Sequence, residues 1–125
     1  MIVLDTSVLI RSLSGHRDQA LALRGTLERG ERILIPTLVL YEWLRGPRTD
    51  AELVAQEALF PSEGALPYGP KEAALSANLY RSLSRPRGRE IDICIAAFAL
   101  IRDAALWTAN PRDFADIPTL RLWKP

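Results

Sequence analysis

Three stretches of this chain are almost wholly apolar, and each carries one charged residue, a carboxylate. Asp5 lies between Ile2 and Ile10, Glu42 between Ile33 and Leu44, and Asp92 between Ile91 and Ile101. Runs this apolar must form core elements. Aspartate and glutamate are rarely buried unless something pairs with them, and an isolated carboxylate in an apolar interior goes neutral rather than stay charged. The chain is therefore restricted to folds that set each acid at the edge of its core element. One shared acidic pocket, completed by a divalent cation, meets both demands.

The order of segments predicts the fold class. Ile2-Val3-Leu4 is apolar at consecutive positions, as in a parallel strand buried on both faces. Thr6 or Ser7 is placed to cap a helix that runs through Leu13 to the stop at Gly15, and a second helix is expected over His16–Arg29. A second strand is expected at Arg32–Ile35, broken by Pro36, with Thr37 placed to cap a helix to about Leu44. Thr49-Asp50-Ala51-Glu52 matches a capping box opening a helix to about Phe60. A short strand near Ala65–Pro67 and a helix from Pro70 follow, the latter with Leu75, Leu79 and Leu83 at i, i+4 and i+8. After the basic loop Ser84–Arg89, a helix apolar nearly all round runs from Ile91 to about Asp103. Strands at Ala105–Thr108 and Thr119–Leu122, separated by a turn at Asn110–Asp113, complete the pattern. Strands alternating with helices predict an α/β layered domain with a mainly parallel sheet.

Composition narrows the chemistry. At 125 residues the chain has the length of one domain, residues 1–125, which buries roughly two-thirds of the surface its unfolded form exposes. A net charge of +1 argues neither for nor against a nucleic-acid partner, so only local charge can speak. Cys94 is the only cysteine and His16 the only histidine. That excludes an internal disulfide, a Cys/His zinc site and two-histidine ribonuclease chemistry. Cys94 reads as a small core residue. The first residues lack the basic lead and apolar core of a signal peptide, and the run Ile93–Ile101 is far shorter than the ~20 residues a membrane span needs. A soluble, cytoplasmic protein is expected, with no membrane partner.

In open parallel sheets, sites form outside the carboxyl ends of strands. Asp5 and the group Thr108, Asn110, Asp113 follow predicted strands, Glu42 lies one helix beyond the second strand, and Asp92 opens the helix before the Trp107 strand. Four carboxylates at close range raise at least one pKa and titrate together. A bound Mg²⁺ or Mn²⁺ relieves the conflict, because hard cations take oxygen ligands, and a water made acidic by such an ion attacks phosphodiesters. Each acid alone has a structural reading: Asp5 as a turn former, Asp92 as a favourable charge on a helix dipole, Glu42 paired with Arg45 or Arg48, and Asp113 as a helix cap. Their joint occurrence favours a site. Arg85, Arg87 and Arg89 before Asp92, and Arg45 and Arg48 after Glu42, are placed to hold a phosphate backbone. The alternative for the arginine loop is a solvated surface.

These residues resemble the motifs of PIN-domain ribonucleases, and within them the VapC-type toxins of bacterial and archaeal toxin–antitoxin pairs. Ile2-Val3-Leu4-Asp5-Thr6-Ser7-Val8-Leu9-Ile10 is similar to the opening motif with its first acid. Tyr41-Glu42-Trp43-Leu44-Arg45-Gly46 resembles the second motif, and Gly88-Arg89-Glu90-Ile91-Asp92-Ile93-Cys94-Ile95-Ala96-Ala97 the third. Thr108-Ala109-Asn110-Pro111-Arg112-Asp113-Phe114 resembles the ending T-x-N-x-x-D-F. The resemblance covers nearly the whole chain. It implies a three-layer α/β/α domain, a Mg²⁺- or Mn²⁺-dependent endoribonuclease acting on RNA, a homodimer, and inhibition by a small cognate antitoxin.

The resulting expectation is a metal-dependent endoribonuclease in which Asp5, Glu42, Asp92 and Asp113 hold one or two cations. Thr6, Ser7, Thr108 and Asn110 support them, and Arg85, Arg87 and Arg89 contact substrate phosphates. Glu90 has two readings, tuning the metal site or pairing with Arg89. The rival is a catalytically silent binding partner of the same fold, acting through its antitoxin complex. A phosphatase using Asp5 as nucleophile is weaker, because no second acid stands two residues on.

Overall fold

Ile2–Leu4 (β1) is the middle strand of a parallel sheet, with Ile33–Leu34 (β2) on one side and Ala105–Trp107 (β3) on the other. All three β1 residues are sealed from solvent. Successive strand side chains point to opposite faces, so such a run needs cover on both faces. Helices supply it in this computed structural model, which describes every residue from Met1 to Pro125. They are Thr6–Leu13 (α1), Arg17–Glu28 (α2), Thr37–Arg45 (α3), Asp50–Leu59 (α4), Pro70–Ser82 (α5) and Glu90–Ile101 (α6). The layered α/β class predicted from the alternation of segments is the one observed. None of the helices is long and apolar enough to cross a membrane.

Two expected strands shrink to single bridges. Leu66 pairs with Pro36 on the outer edge of β2, and Leu122 pairs with Leu106 on the outer edge of β3. Each bridge keeps its pair of backbone bonds, Leu66 N–H to Ile35 O and Thr37 N–H to Leu66 O, then Leu106 N–H to Arg121 O and Trp123 N–H to Leu106 O. Neither ladder extends, because the chain leaves the extended path beside each bridge. Helix α3 begins at Thr37, one residue past the first bridge, and Thr119, with a φ of 63°, interrupts the strand expected around the second.

The capping residues also differ from expectation. Asp5, rather than Thr6 or Ser7, occupies the N-cap position of α1, and its carboxylate makes no capping bond. Pro36, rather than Thr37, occupies that position for α3. The Thr49/Glu52 capping box is present, with Glu52 N–H 3.1 Å from Thr49 Oγ1 and Thr49 N–H 2.7 Å from Glu52 Oε1. Helix α6 ends at Ile101, short of Asp103, whose φ of 51° breaks the helical path.

The core lies between the sheet and α6, which buries Ile93, Ile95, Ala96, Ala97, Phe98 and Ala99. Trp43 and Phe98 are the largest fully buried side chains, and Leu38 and Phe60 pack against the same core. Cys94 is half-buried, and its Sγ accepts a hydrogen bond from Tyr68 Oη at 3.3 Å.

Glu72 is a buried carboxylate with its needs met. Its Oε1 takes Arg102 Nη1 at 2.9 Å and its Oε2 takes Gly69 N–H at 2.8 Å, while Arg102 stacks on Phe98. Hydrogen bonds from its own amide, from Arg102 and from Gly69, together with the Arg102 charge, hold this carboxyl below the ordinary glutamate range. A depressed carboxylate favours the folded state above its unfolded pKa and loses that advantage as pH falls. Glu72→Ala should lower stability by roughly 1.5–3 kcal/mol in urea unfolding near neutral pH. The deficit should shrink as the solution is acidified through the glutamate range.

Candidate active site

The sheet register builds the site. Leu4 pairs with Trp107, and Asp5 N–H donates to Trp107 O at 2.9 Å. Asp5 and Thr108 therefore leave the sheet side by side. Strand β1 is also where the strand order reverses, β2 lying to one side and β3 to the other. That switch point leaves a crevice at the carboxyl ends of the strands.

Asp5 is 5% exposed, and hydroxyls hold it. Ser7 Oγ and Thr108 Oγ1 both donate to its Oδ2, at 2.7 and 2.8 Å. Each hydroxyl is aimed by an amide on its lone pair: Ala109 N–H donates to Ser7 Oγ and Asn110 N–H to Thr108 Oγ1, both at 3.0 Å. A hydroxyl rotates to suit its partners, so an amide at its acceptor side turns its proton to the carboxylate. Asp5 Oδ1 accepts no hydrogen bond from the protein.

Helix α3 delivers Glu42. Val39 and Trp43 are its buried residues, and Glu42, one position from Trp43, sits at the edge of that face. Thr6 Oγ1 donates to Glu42 Oε1 at 2.6 Å. Of the two arginines expected to pair with Glu42, Arg45 does so at 3.3 Å. Its half-exposed side chain makes that pair weak. Arg48 instead stacks on Trp43 and bonds its carbonyl at 2.8 Å.

Asp92 stands in the first turn of α6, half-buried. Its carboxyl is pushed up to about 6, chiefly by burial, then by the charges of Asp5, Glu42 and Asp113, with Arg89 opposing. The three other acids thus all reach Asp92 through one shared field. Asp113 is exposed at the rim, on the 3-10 turn Pro111–Phe114, whose Phe114 is in the core.

The remaining candidates separate. Asn110 is exposed, and it is its backbone N–H that serves Thr108. Arg85 and Arg87 are exposed in the loop between α5 and α6. Arg89 is partly buried and grips Asp116 with both Nη atoms, at 2.9 and 2.6 Å. Glu90 does not pair with Arg89; its Oε1 accepts Gly88 N–H at 3.0 Å within its own loop. Two residues apart, Glu90 and Asp92 are about 200° apart round the helix. Sequence reading missed the Thr6–Glu42 and Arg89–Asp116 contacts, because they join segments 36 and 27 residues apart and no local spacing encodes them.

No three acids form a ready-made cage for an ion. The donor set nevertheless suits a hard cation: it is all oxygen, and Asp5 Oδ1 is free of protein donors. Mg²⁺ commonly takes one or two carboxylates and keeps several waters, so an open arrangement of acids fits it.

Residues 2–120 match the PIN domain family. Ribonuclease VapC19 of Mycobacterium tuberculosis is 34% identical over 123 residues, spanning 97% of this chain and 98% of that protein. Among solved structures, the DNA-bound VapBC complex of Salmonella typhimurium has a chain that superposes with a TM-score of 0.79 at 24% identity, covering 98% of this chain and 96% of that one. A chain of VapBC2 from Rickettsia felis, bound to a promoter DNA fragment, gives 0.75 at 21% identity, covering 99% and 100%. These two likenesses speak to the fold. The match along nearly the full length, with a carboxylate crevice at the sheet's switch point, makes this chain a member of the PIN domain family and a homologue of the VapC ribonucleases.

Proposed function

We propose that this protein is a metal-dependent endoribonuclease, the toxin of a type II toxin–antitoxin pair. The observation that carries the reading is Asp92, a half-buried carboxylate pushed up to about 6 among Asp5, Glu42 and Asp113. A fold gains nothing in stability from crowding four acids, whereas a cation site requires it. Asp5, Glu42, Asp92 and Asp113 would hold Mg²⁺ or Mn²⁺. When bound, the ion supplies positive charge that admits an anionic phosphodiester and makes water more acidic. Ser7 and Thr108 orient Asp5, and Thr6 orients Glu42. Asn110, itself exposed, supports the site through its backbone N–H on Thr108 Oγ1. Arg85 and Arg87 contact the RNA backbone. The protein works in the cytoplasm as a homodimer and is silenced by a cognate antitoxin, in keeping with the VapBC complexes in which its fold relatives were solved. A catalytically silent partner would have no use for hydroxyls trained on two acids.

Asp5→Asn and Asp92→Asn should each reduce cleavage of single-stranded RNA at least about 100-fold, with circular dichroism unchanged. EDTA should abolish cleavage in the wild type and Mn²⁺ should restore it. Full activity in both variants, or in excess EDTA, would sink the mechanism.

Stability should respond to pH in the opposite sense to Glu72. A carboxylate raised in the folded state holds its proton there more tightly than in the unfolded chain. The fold is therefore disfavoured as pH rises through about 6. Metal-free Asp92→Asn should melt higher than wild type at neutral pH, and the difference should close as pH falls toward 3.8. Mn²⁺ should raise the melting temperature of wild type more than that of the variant.

Arg85→Ala and Arg87→Ala should raise KM with kcat nearly unchanged. Each lost phosphate contact should flatten the salt dependence of RNA binding by about 0.7 in log–log slope.

A further inference from the structure

Arg89 sits at the N-cap position of α6, three residues before Asp92. A guanidinium has five N–H donors, and four of them are engaged. Nη1 donates to Asp116 Oδ2 at 2.9 Å and to Arg85 O at 3.1 Å. Nη2 donates to Asp116 Oδ1 at 2.6 Å and to Asp113 O at 3.0 Å. Only Nε–H is left. Bidentate capture of a phosphate needs two parallel donors, and Arg89 has no such pair to offer. Its side chain is 22% exposed, unlike the solvent-facing Arg85 and Arg87.

The bonds it makes join three segments: the loop carbonyl of Arg85, the start of α6 and the turn carrying Asp113. That turn lies outside the sheet and the α-helices. Phe114 anchors it from the core side, and an Asp113 N–H to Asn110 O bond of 3.0 Å closes it. Arg89 supplies the hold from the α6 side, through the Asp113 carbonyl. Asp116 fixes the guanidinium in place, and both oxygens of its carboxylate are used in doing so.

We propose that Arg89, tethered by Asp116, is a positioning residue that fixes the Asp113 turn against the first turn of α6 so that Asp113 joins Asp92 at the cation site. The proposal rests on the cation site within the nuclease reading and deepens it. It also assigns Arg89 a different role from its two neighbours, which serve the substrate. Contacts that orient ligating carboxylates commonly matter 10–100-fold to metal affinity or activity.

The test titrates the full-length protein with MnCl₂ alone by calorimetry, and separately measures RNA cleavage and amide exchange of residues 111–116. Asp116→Asn, which keeps the shape of the side chain, and Arg89→Ala should each weaken Mn²⁺ binding about tenfold. Both should speed exchange in the turn and lower kcat with KM unchanged. The double variant should be no worse than either single one, and Arg89→Ala should add nothing to Asp113→Asn. Arg89→Lys should restore only part of the Mn²⁺ affinity, since one ammonium cannot bridge four acceptors. Unchanged or tighter Mn²⁺ binding in both Arg89→Ala and Asp116→Asn would overturn the proposal and leave the nuclease reading standing. So would a rise in KM with a flattened salt dependence, the mark of a phosphate contact. If Arg89→Ala fails to fold, Asp116→Asn decides alone. Wild-type protein that binds Mn²⁺ but leaves RNA intact overturns the nuclease reading and not the positioning role; wild-type protein that binds no Mn²⁺ overturns both.

Discussion

The parallel pairing of Leu4 with Trp107 governs the carboxyl edge of this sheet. It sets Asp5 beside Thr108, and the Ser7 and Thr108 hydroxyls then share one oxygen of the Asp5 carboxylate. Slipping the register by one residue would turn every β3 side chain to the other face. Thr108 would then point away from Asp5, and the Asn110–Asp113 segment would leave the sheet in the wrong direction. A buried acid thus depends on a backbone pairing made by apolar residues. The site is specified by the same interaction that assembles the core.

Two carboxylates in apolar surroundings meet opposite fates, and the contrast explains what each is for. Glu72 is buried with a cation and a backbone amide on its two oxygens, and its carboxyl is held low. Asp92 is half-buried with three other acids nearby, and its carboxyl is raised. Burial alone therefore does not mark a functional acid. The distinguishing property is whether the fold supplies the counter-charge. Where it does, the acid belongs to the architecture. Where it withholds it and adds like charges, the acid keeps its proton to a higher pH, as Asp92 does.

Much of this was legible in the sequence, for a physical reason. Strand β1 is buried on both faces and most of α6 lies in the core, so Ile2-Val3-Leu4 and Ile91–Ile101 announce themselves by composition. A lone acid in such a run stands out against that background, as Asp5, Glu42 and Asp92 do. The strands over-read from sequence, Ala65–Pro67 and Thr119–Leu122, were real pairing segments held to one bridge each, the first by the start of α3 at Thr37 and the second by the left-handed turn at Thr119. The caps were misassigned for a related reason. Thr6 and Ser7 had the right side chains to cap α1, but their hydroxyls are taken by Glu42 and Asp5. A local rule fails where a distant carboxylate competes for the same group.

The arginines show the limit most clearly. Arg85, Arg87 and Arg89 are alternate residues in one short loop, and the sequence gives no ground for treating them differently. The fold separates them by where Asp116 lies. With its two oxygens, Asp116 takes the fork of Arg89, whose other N–H groups then find the carbonyls of Arg85 and Asp113. A guanidinium so committed is a bracket, because its donors have no freedom left to follow a flexible substrate. Arg85 and Arg87 keep theirs, with both side chains exposed to solvent. One basic loop thereby carries both a fixed charge, held between α6 and the Asp113 turn, and two exposed charges that pair with no acid of the chain.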